Sequence, residues 1–109
     1  MISEKYFVLI IDDHPLITEA YITALNCYNK HNETIEFSIQ TASDCDSGRE
    51  LIKKVLKSKE HKYIVFLDIK LPPSRDGEIL SGEDLGLLIR ELLPNPRIIV
   101  STTFNDNFR

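Results

Sequence analysis

The amino-acid sequence predicts an α/β protein, built as a doubly wound parallel sheet with helices on both faces. Short unbroken apolar runs recur along the chain, and such runs are typical of strands buried on both faces. Segments in which apolar residues recur at spacings of three and four lie between these runs, and this spacing is typical of helices. Strands that alternate with helices indicate parallel pairing through right-handed crossovers.

Four segments are predicted as strands. Residues 6–11, 63–67 and 98–100 are continuous apolar runs. Residues 36–40 alternate between apolar and polar side chains instead, which is typical of a half-exposed or edge strand. The predicted order of elements is therefore βαβαβαβ.

Three helices are predicted between these strands. Pro15 suits the first turn of the first helix, where its missing N–H is not needed, and either Ser43 or Asp44 is expected to cap the second. Residues 81–84 approximate a capping box before the third helix, and Pro94 follows its end. The apolar positions are Ile17, Tyr21, Ala24, Leu25 and Tyr28 in the first helix, Leu51, Ile52, Val55 and Leu56 in the second, and Leu85, Leu88, Ile89 and Leu92 in the third.

Length and composition indicate one domain, residues 1–109, with an ordinary globular balance: 42% hydrophobic and 28% charged residues. The formal net charge is −4 and the basic residues are scattered, so we expect no nucleic-acid binding by this chain alone. No apolar run is long enough for a membrane span, and the first residues lack the layout of a signal peptide. We expect a cytoplasmic protein in which Cys27 and Cys45 are free thiols, both small buried residues.

Carboxylates follow two of the predicted strands. Asp12 and Asp13 come directly after the first strand, and Asp68 ends the third. If these strands are neighbours, the carboxylates meet at one sheet edge, where burying like charges together is costly unless a cation compensates. Hard oxygen ligands around an open site suit Mg²⁺. The alternative is that Asp12 and Asp13 only cap the first helix, and His14 is expected to be a partly exposed helix-start residue.

With these residues the chain resembles the receiver domain of two-component response regulators, a flavodoxin-like (CheY-like) fold. Asp12 and Asp13 match the family's acidic pair, Asp68 matches its phosphoacceptor, and Pro72 matches the proline of the loop that follows. Thr102 matches the family's switch hydroxyl, with Ser101 or Thr103 as the alternatives if the register differs by one. Residues 12–17 are also similar to receivers that carry a C-terminal LuxR-type helix-turn-helix.

The resemblance implies a signalling domain rather than an enzyme. Mg²⁺ would be held by Asp13, Asp68 and the backbone carbonyl of Lys70. Asp12 would bind the ion directly or through water. A sensor histidine kinase would donate its phosphoryl group to Asp68, with catalysis resting on positioning and electrostatics. The Thr102 hydroxyl would then move toward the phosphoryl group and shift the surface to its active form. Transcription would be controlled through a DNA-binding output domain outside this chain.

The chain departs from the family pattern in two places. The loop over residues 71–80 is about six residues longer than ordinary loops of this kind, and it either shapes partner choice or is a tolerated surface insertion. The family's fifth strand, with its lysine, is absent, so we expect a partial receiver with four strands and about three helices. The fourth strand would then be an exposed apolar edge, which predicts self-association through residues 98–100.

Two other functions compete with the receiver hypothesis. A Mg²⁺-dependent phosphohydrolase of the haloacid dehalogenase type would require a D-x-D signature. In the segment Asp68-Ile69-Lys70, a lysine occupies the position of the second Asp of that signature. Turnover of a phosphate ester would favour that class. A protein-interaction module that acts without phosphorylation is the third hypothesis, and the absence of any response of Asp12, Asp13 or Asp68 to Mg²⁺ would favour it.

Overall fold

The computed structural model describes residues 4–57 and 62–101. Strands and helices alternate along this part of the chain, as the sequence predicts. The elements are β1 (Glu4–Ile11), α1 (Pro15–Lys30), β2 (Ile35–Ala42), α2 (Cys45–Leu56), β3 (Lys62–Asp68), α3 (Gly82–Leu92) and β4 (Arg97–Ser101). All four predicted strands and all three predicted helices are confirmed, with the strands extending a residue or more beyond the apolar runs.

The four strands form one parallel sheet in the order β2-β1-β3-β4. The register places Ile11 beside both Ala42 and Leu67, and Asp68 beside Ser101. The carboxyl ends of the strands therefore lie together at one edge of the sheet. This arrangement confirms the predicted α/β class and is that of an incomplete doubly wound, flavodoxin-like fold; the residues that the structure describes contain no fifth strand.

The main core lies between the sheet and the helices α2 and α3. Its strand side chains include Leu9, Ile11 and Leu67, and the helices contribute Ile52 and Leu85, each at most 1% exposed. The predicted apolar faces of α2 and α3 therefore pack on the core, except that Leu92, in the last turn of α3, is 38% exposed. Burial of each such side chain contributes about 1.5–3 kcal/mol.

Helix α1 packs less deeply than its apolar pattern predicts, because none of its residues is buried. In a parallel sheet of this order, right-handed crossovers put α1 on the face opposite α2 and α3. Val8 and Ile10 are fully buried on that face, and the ring of Tyr21 stacks on Phe66 with 4.4 Å between centroids. Yet Ile17 remains 43% exposed. One described helix does not cover this whole face of the sheet.

The cysteines differ in environment. Cys45, the first residue of α2, is fully buried, as expected, but Cys27 is exposed, so the prediction that both are buried is wrong for Cys27. The reason is that Cys27 belongs to the shallowly packed α1. Both thiols are free. No helix in the described ranges has the length and apolar character that a membrane span needs.

Candidate metal centre

The predicted carboxylates come together at the carboxyl edge of the sheet. Asp12 and Asp13 follow the last residue of β1, and Asp68 is the last residue of the neighbouring strand β3. Asp68 is 0% exposed and Asp12 is 6% exposed, whereas Asp13 lies at the surface. One ligand atom from each of these residues and from His14 lies within 4.8 Å of the others. The convergence predicted from the strand ends is therefore confirmed.

His14 belongs to this cluster as well as to the start of α1. Its ring Nδ1 lies 2.8 Å from Oδ1 of Asp12, 2.9 Å from Oδ1 of Asp13 and 3.5 Å from Oδ2 of Asp68. The hydrogen bond with the Asp12 side chain, reinforced by the nearby negative charges, raises the pKa of His14 above its ordinary value. The imidazolium form supplies positive charge at the centre of the carboxylates.

The expectation of a partly exposed helix-start residue is right for His14 but incomplete. Its side chain is 43% exposed, and it occupies the N-cap position of α1 with an extended backbone (φ −104°, ψ 107°). That conformation turns the ring back toward the end of β1. The sequence signal was the direct succession of Asp12, Asp13 and His14.

The carboxylates of Asp12 and Asp13 do not serve as the N-cap of α1. The N-cap is His14, and it makes no side-chain capping hydrogen bond. Asp12 instead accepts a hydrogen bond at Oδ1 from the backbone N–H of His14 (2.8 Å). This contact fixes the turn between β1 and α1 and keeps the Asp12 carboxylate beside Asp68.

The Asp68 carboxylate is held by the backbone that follows it. The N–H of Lys70 donates to Oδ1 of Asp68 at 2.9 Å, and the N–H of Ile69 donates to the carbonyl oxygen of Ser101 at 3.2 Å. These bonds fix the end of β3 against β4. The role expected of the Lys70 carbonyl as a metal ligand stays a prediction.

The hydroxyl residues predicted for this edge follow the register of β4. Ser101 pairs with Asp68 and is half-buried. Thr102, the expected switch hydroxyl, and the alternative Thr103 lie outside the described residues. The role of Thr102 or Thr103 therefore stays a prediction. Ser101 lies at the same sheet edge as the carboxylates.

An open cavity of about 390 Å³ adjoins the carboxylates on the side of β2. Asp12 and Asp13 line this cavity. Four residues with hydroxyl groups also line it, one from α1, two from β2 or just after it and one from α2: Thr18, Thr41, Ser43 and Ser47. The cavity leaves solvent access to a cluster whose Asp68 is itself fully buried. A small polar group could reach the cluster from this side.

The long loop between β3 and α3 is fixed by its own contacts. Ser74 is 5% exposed; its hydroxyl donates to Oδ1 of Asp76 (2.7 Å) and accepts from the N–H of Ile79 (3.0 Å). Ile79 is 6% exposed and joins the main core. The predicted insertion is therefore a packed segment.

Arg49 of α2 ties this loop to the helix. Its guanidinium lies 3.1 Å from Oδ2 of Asp76, 3.3 Å from Oδ1 of Asp46 and 3.5 Å from Oε1 of Glu78. The backbone N–H of Arg75 also donates to Asp46 (3.1 Å), and the Arg75 residue itself is exposed. The contacts of Arg49 with Asp76 and Glu78 join residues far apart in the chain, so sequence spacing does not indicate them.

The cluster of Asp12, Asp13, His14 and Asp68 could hold a metal ion. Three carboxylates meet at one point, two of them on nearly or fully buried residues, and such oxygen donors suit Mg²⁺. Comparison with protein-family models, with curated proteins and with solved structures finds no match. The functional argument therefore depends on the geometry of this site.

Proposed function

We propose that this chain is a phosphoacceptor receiver domain of a two-component response regulator, with Asp68 as the acceptor. One observation carries the proposal: the fully buried Asp68 at the end of β3 lies with Asp12 and Asp13 from the end of β1, in a parallel sheet of order β2-β1-β3-β4. The edge beyond the carboxyl ends of the strands is where open α/β sheets bind ligands.

The carboxylates of Asp12, Asp13 and Asp68, with the backbone carbonyl of Lys70, are the groups that would hold Mg²⁺. The bound ion would neutralise negative charge on a transferring phosphoryl group. Asp68 is fully buried and Asp12 nearly so, and like charges in such a position favour a cation between them. His14 supports this assignment, because its ring nitrogen already lies among the same oxygens.

The residues of the chain position the acceptor for transfer. A carboxylate oxygen of Asp68 attacks phosphorus, the P–N bond of the donor phosphohistidine breaks, and its electron pair returns to the departing imidazole, which takes up a proton. The product is an acyl phosphate on Asp68. The Lys70 N–H, 2.9 Å from Oδ1 of Asp68, fixes the carboxylate during this step. The adjoining cavity reaches Asp12 and Asp13 of the same cluster.

The rest of the receiver assignment belongs to this proposal. The donor is a sensor histidine kinase, the protein is cytoplasmic, and the Thr102 hydroxyl responds to the phosphoryl group. A DNA-binding output domain outside this sequence would convert that response into a change in transcription. These partners follow from the resemblance and not from contacts of the described residues.

Labelling with a small phosphodonor tests the proposal. The protein is incubated with acetyl phosphate and Mg²⁺, and the phosphorylated fraction is measured by intact mass. We expect addition of one phosphoryl group, loss of the product in Asp68→Asn, and full labelling in the control Glu50→Gln, whose carboxylate is 73% exposed on α2. Labelling that persists in Asp68→Asn would refute this acceptor. Continuous hydrolysis of a phosphate ester would favour the phosphohydrolase instead.

A further inference from the structure

The candidate metal centre contains one nitrogen donor among its oxygens. His14 is the N-cap residue of α1 but makes no side-chain capping hydrogen bond. Its ring Nδ1 lies among the carboxylates of Asp12, Asp13 and Asp68 instead. The four residues offer ligand atoms that all lie within 4.8 Å of one another. A site that includes an imidazole nitrogen prefers different metal ions from a site made of oxygens alone.

The distances from Nδ1 of His14 match the spacing of neighbouring ligands around a metal ion. They are 2.8 Å to Oδ1 of Asp12, 2.9 Å to Oδ1 of Asp13 and 3.5 Å to Oδ2 of Asp68. With metal–ligand bonds of about 2.1 Å, neighbouring ligand atoms are about 3.0 Å apart in an octahedral site and about 3.4 Å apart in a tetrahedral one. An ion among these atoms would therefore replace their hydrogen bonds with small side-chain shifts.

The backbone holds these donors in place before any ion binds. Pro15 follows His14, and a residue before proline is restricted to extended conformations; His14 has φ −104° and ψ 107°. The N–H of His14 donates to Oδ1 of Asp12 at 2.8 Å, and the N–H of Lys70 donates to Oδ1 of Asp68 at 2.9 Å. Donors that are already ordered lose less conformational freedom when a ligand binds.

We propose that the His14 ring is a ligand for transition ions of the Zn²⁺ class, and that Mg²⁺ at the same place displaces it. Zn²⁺ accepts imidazole nitrogen and carboxylate oxygen together, whereas Mg²⁺ takes oxygen ligands and keeps several waters. The ion takes the position of the proton on Nδ1, which is released to solvent, and Nε2 keeps its proton. His14 thereby determines which class of ion the centre prefers.

The inference rests on the metal centre of the proposed function but not on phosphoryl transfer to Asp68. Zn²⁺ binding through His14 in a chain that acetyl phosphate does not label would refute the receiver function alone. Labelling of Asp68 in a chain whose His14 ring does not bind Zn²⁺ would refute the inference alone. The two experiments therefore distinguish the two failures.

A second pair of groups that attract Zn²⁺ has to be removed before affinities are compared. Sγ of Cys27 lies 4.0 Å from Nδ1 of His31, and thiolate and imidazole are both zinc ligands. The reference protein for the experiment is therefore Cys27→Ser/His31→Ala. Both positions are exposed, and they lie at the end of α1 opposite to His14.

Calorimetric titrations with Zn²⁺ and with Mg²⁺ compare the reference protein with its His14→Ala derivative. We expect His14→Ala to weaken Zn²⁺ binding about 10-fold or more and to leave Mg²⁺ binding no weaker, because only Zn²⁺ loses a ligand. Alanine keeps the backbone N–H that donates to Asp12, so the turn is retained. Asp13→Asn is the matched comparison: it removes a carboxylate that both ions use and should weaken both.

NMR of the ring nitrogens measures coordination directly in the reference protein. Zn²⁺ should fix the His14 ring in the form protonated on Nε2, with Nδ1 bound to the ion. Mg²⁺ should leave Nδ1 without an ion. Circular dichroism checks that each variant is folded.

Four results would overturn the proposal. The reference protein could bind no Zn²⁺ up to millimolar concentration, or a folded His14→Ala variant could bind Zn²⁺ as tightly as the reference. The variant could also lose affinity equally for Zn²⁺ and Mg²⁺, which would remove the selectivity. The fourth result is Zn²⁺ binding during which the Nδ1 resonance of His14 does not change.

Discussion

Gly82, the first residue of α3, lies directly against the backbone of Asp68. A Cβ at Gly82 would overlap the carbonyl oxygen of Asp68 and stand 2.5 Å from the Cα of Ile69. The N–H of Gly82 donates to the carbonyl oxygen of Ile69 at 3.1 Å. The close approach locks the start of α3 onto the end of β3, next to the Asp68 carboxylate.

Replacing Gly82 by alanine should therefore disturb both the fold and the site. The added methyl group meets backbone atoms that cannot rotate away, so we expect Gly82→Ala to lower the free energy of unfolding by about 2 kcal/mol or more. Urea denaturation measures this change. Gly77 is the matched control: it has a φ of 75° with no atom within 4 Å of a Cβ built there, and Gly77→Asn should cost less than about 1 kcal/mol. Equal effects at both glycines would contradict the packing argument.

The loop between β3 and α3 should show an unusual carboxyl titration. The hydrogen bond from the Ser74 hydroxyl, with the Glu78 N–H and the Arg49 guanidinium, lowers the pKa of Asp76 from 3.8 to about 2. Because the folded-state pKa is depressed, the stabilising contribution is present above pH 3.8 and is lost as the pH falls through about 2. NMR of the side-chain carboxyl carbon measures the titration directly.

A pair of serine variants tests the cause of that shift. Ser74→Ala removes the hydrogen bond that contributes most and should raise the pKa of Asp76 toward its ordinary value. Ser43→Ala changes an exposed serine near α2 and should leave the titration of Asp76 unchanged. A wild-type Asp76 that titrates near 3.8 would show that the loop contacts do not persist in solution.

His14 should compete with Mg²⁺ for the carboxylates. Its Nδ1 lies within 3.5 Å of oxygens from Asp12, Asp13 and Asp68, so Mg²⁺ bound by these oxygens must displace the ring. We expect His14→Ala to bind Mg²⁺ more tightly, by about 3- to 10-fold, as measured by calorimetry. His31→Ala, at the other end of α1, serves as the control. Weaker binding in His14→Ala would instead identify the ring as a ligand.

Much of this architecture can be predicted from sequence, for clear physical reasons. Apolar runs and helical spacings identify the elements because burial imposes those periods. Asp12, Asp13 and Asp68 could be placed together because the carboxyl ends of neighbouring parallel strands meet at one edge. Such patterns specify which face or edge a residue occupies.

The contacts and exposures that the sequence did not predict depend on backbone conformation and tertiary packing, which these sequence patterns do not specify. The ring of His14 reaches the carboxylates because of the extended backbone at one residue. Arg49 contacts Glu78 across 29 positions of sequence, so no local spacing indicates the pair. Cys27 is exposed because α1 packs shallowly on its face of the sheet, and that depth depends on which other elements cover the face.

The proposed phosphoryl transfer to Asp68, and its dependence on a cation, can be tested by chemical mapping of the modified residue. The protein is treated with acetyl phosphate in Mg²⁺ or in EDTA, reduced with borohydride and analysed by peptide mass spectrometry. We predict homoserine, the reduction product of an aspartyl phosphate, at Asp68 in the Mg²⁺ sample and little or none in EDTA. Modification at another aspartate with Asp68 intact, or equal modification in EDTA, would contradict the assignment.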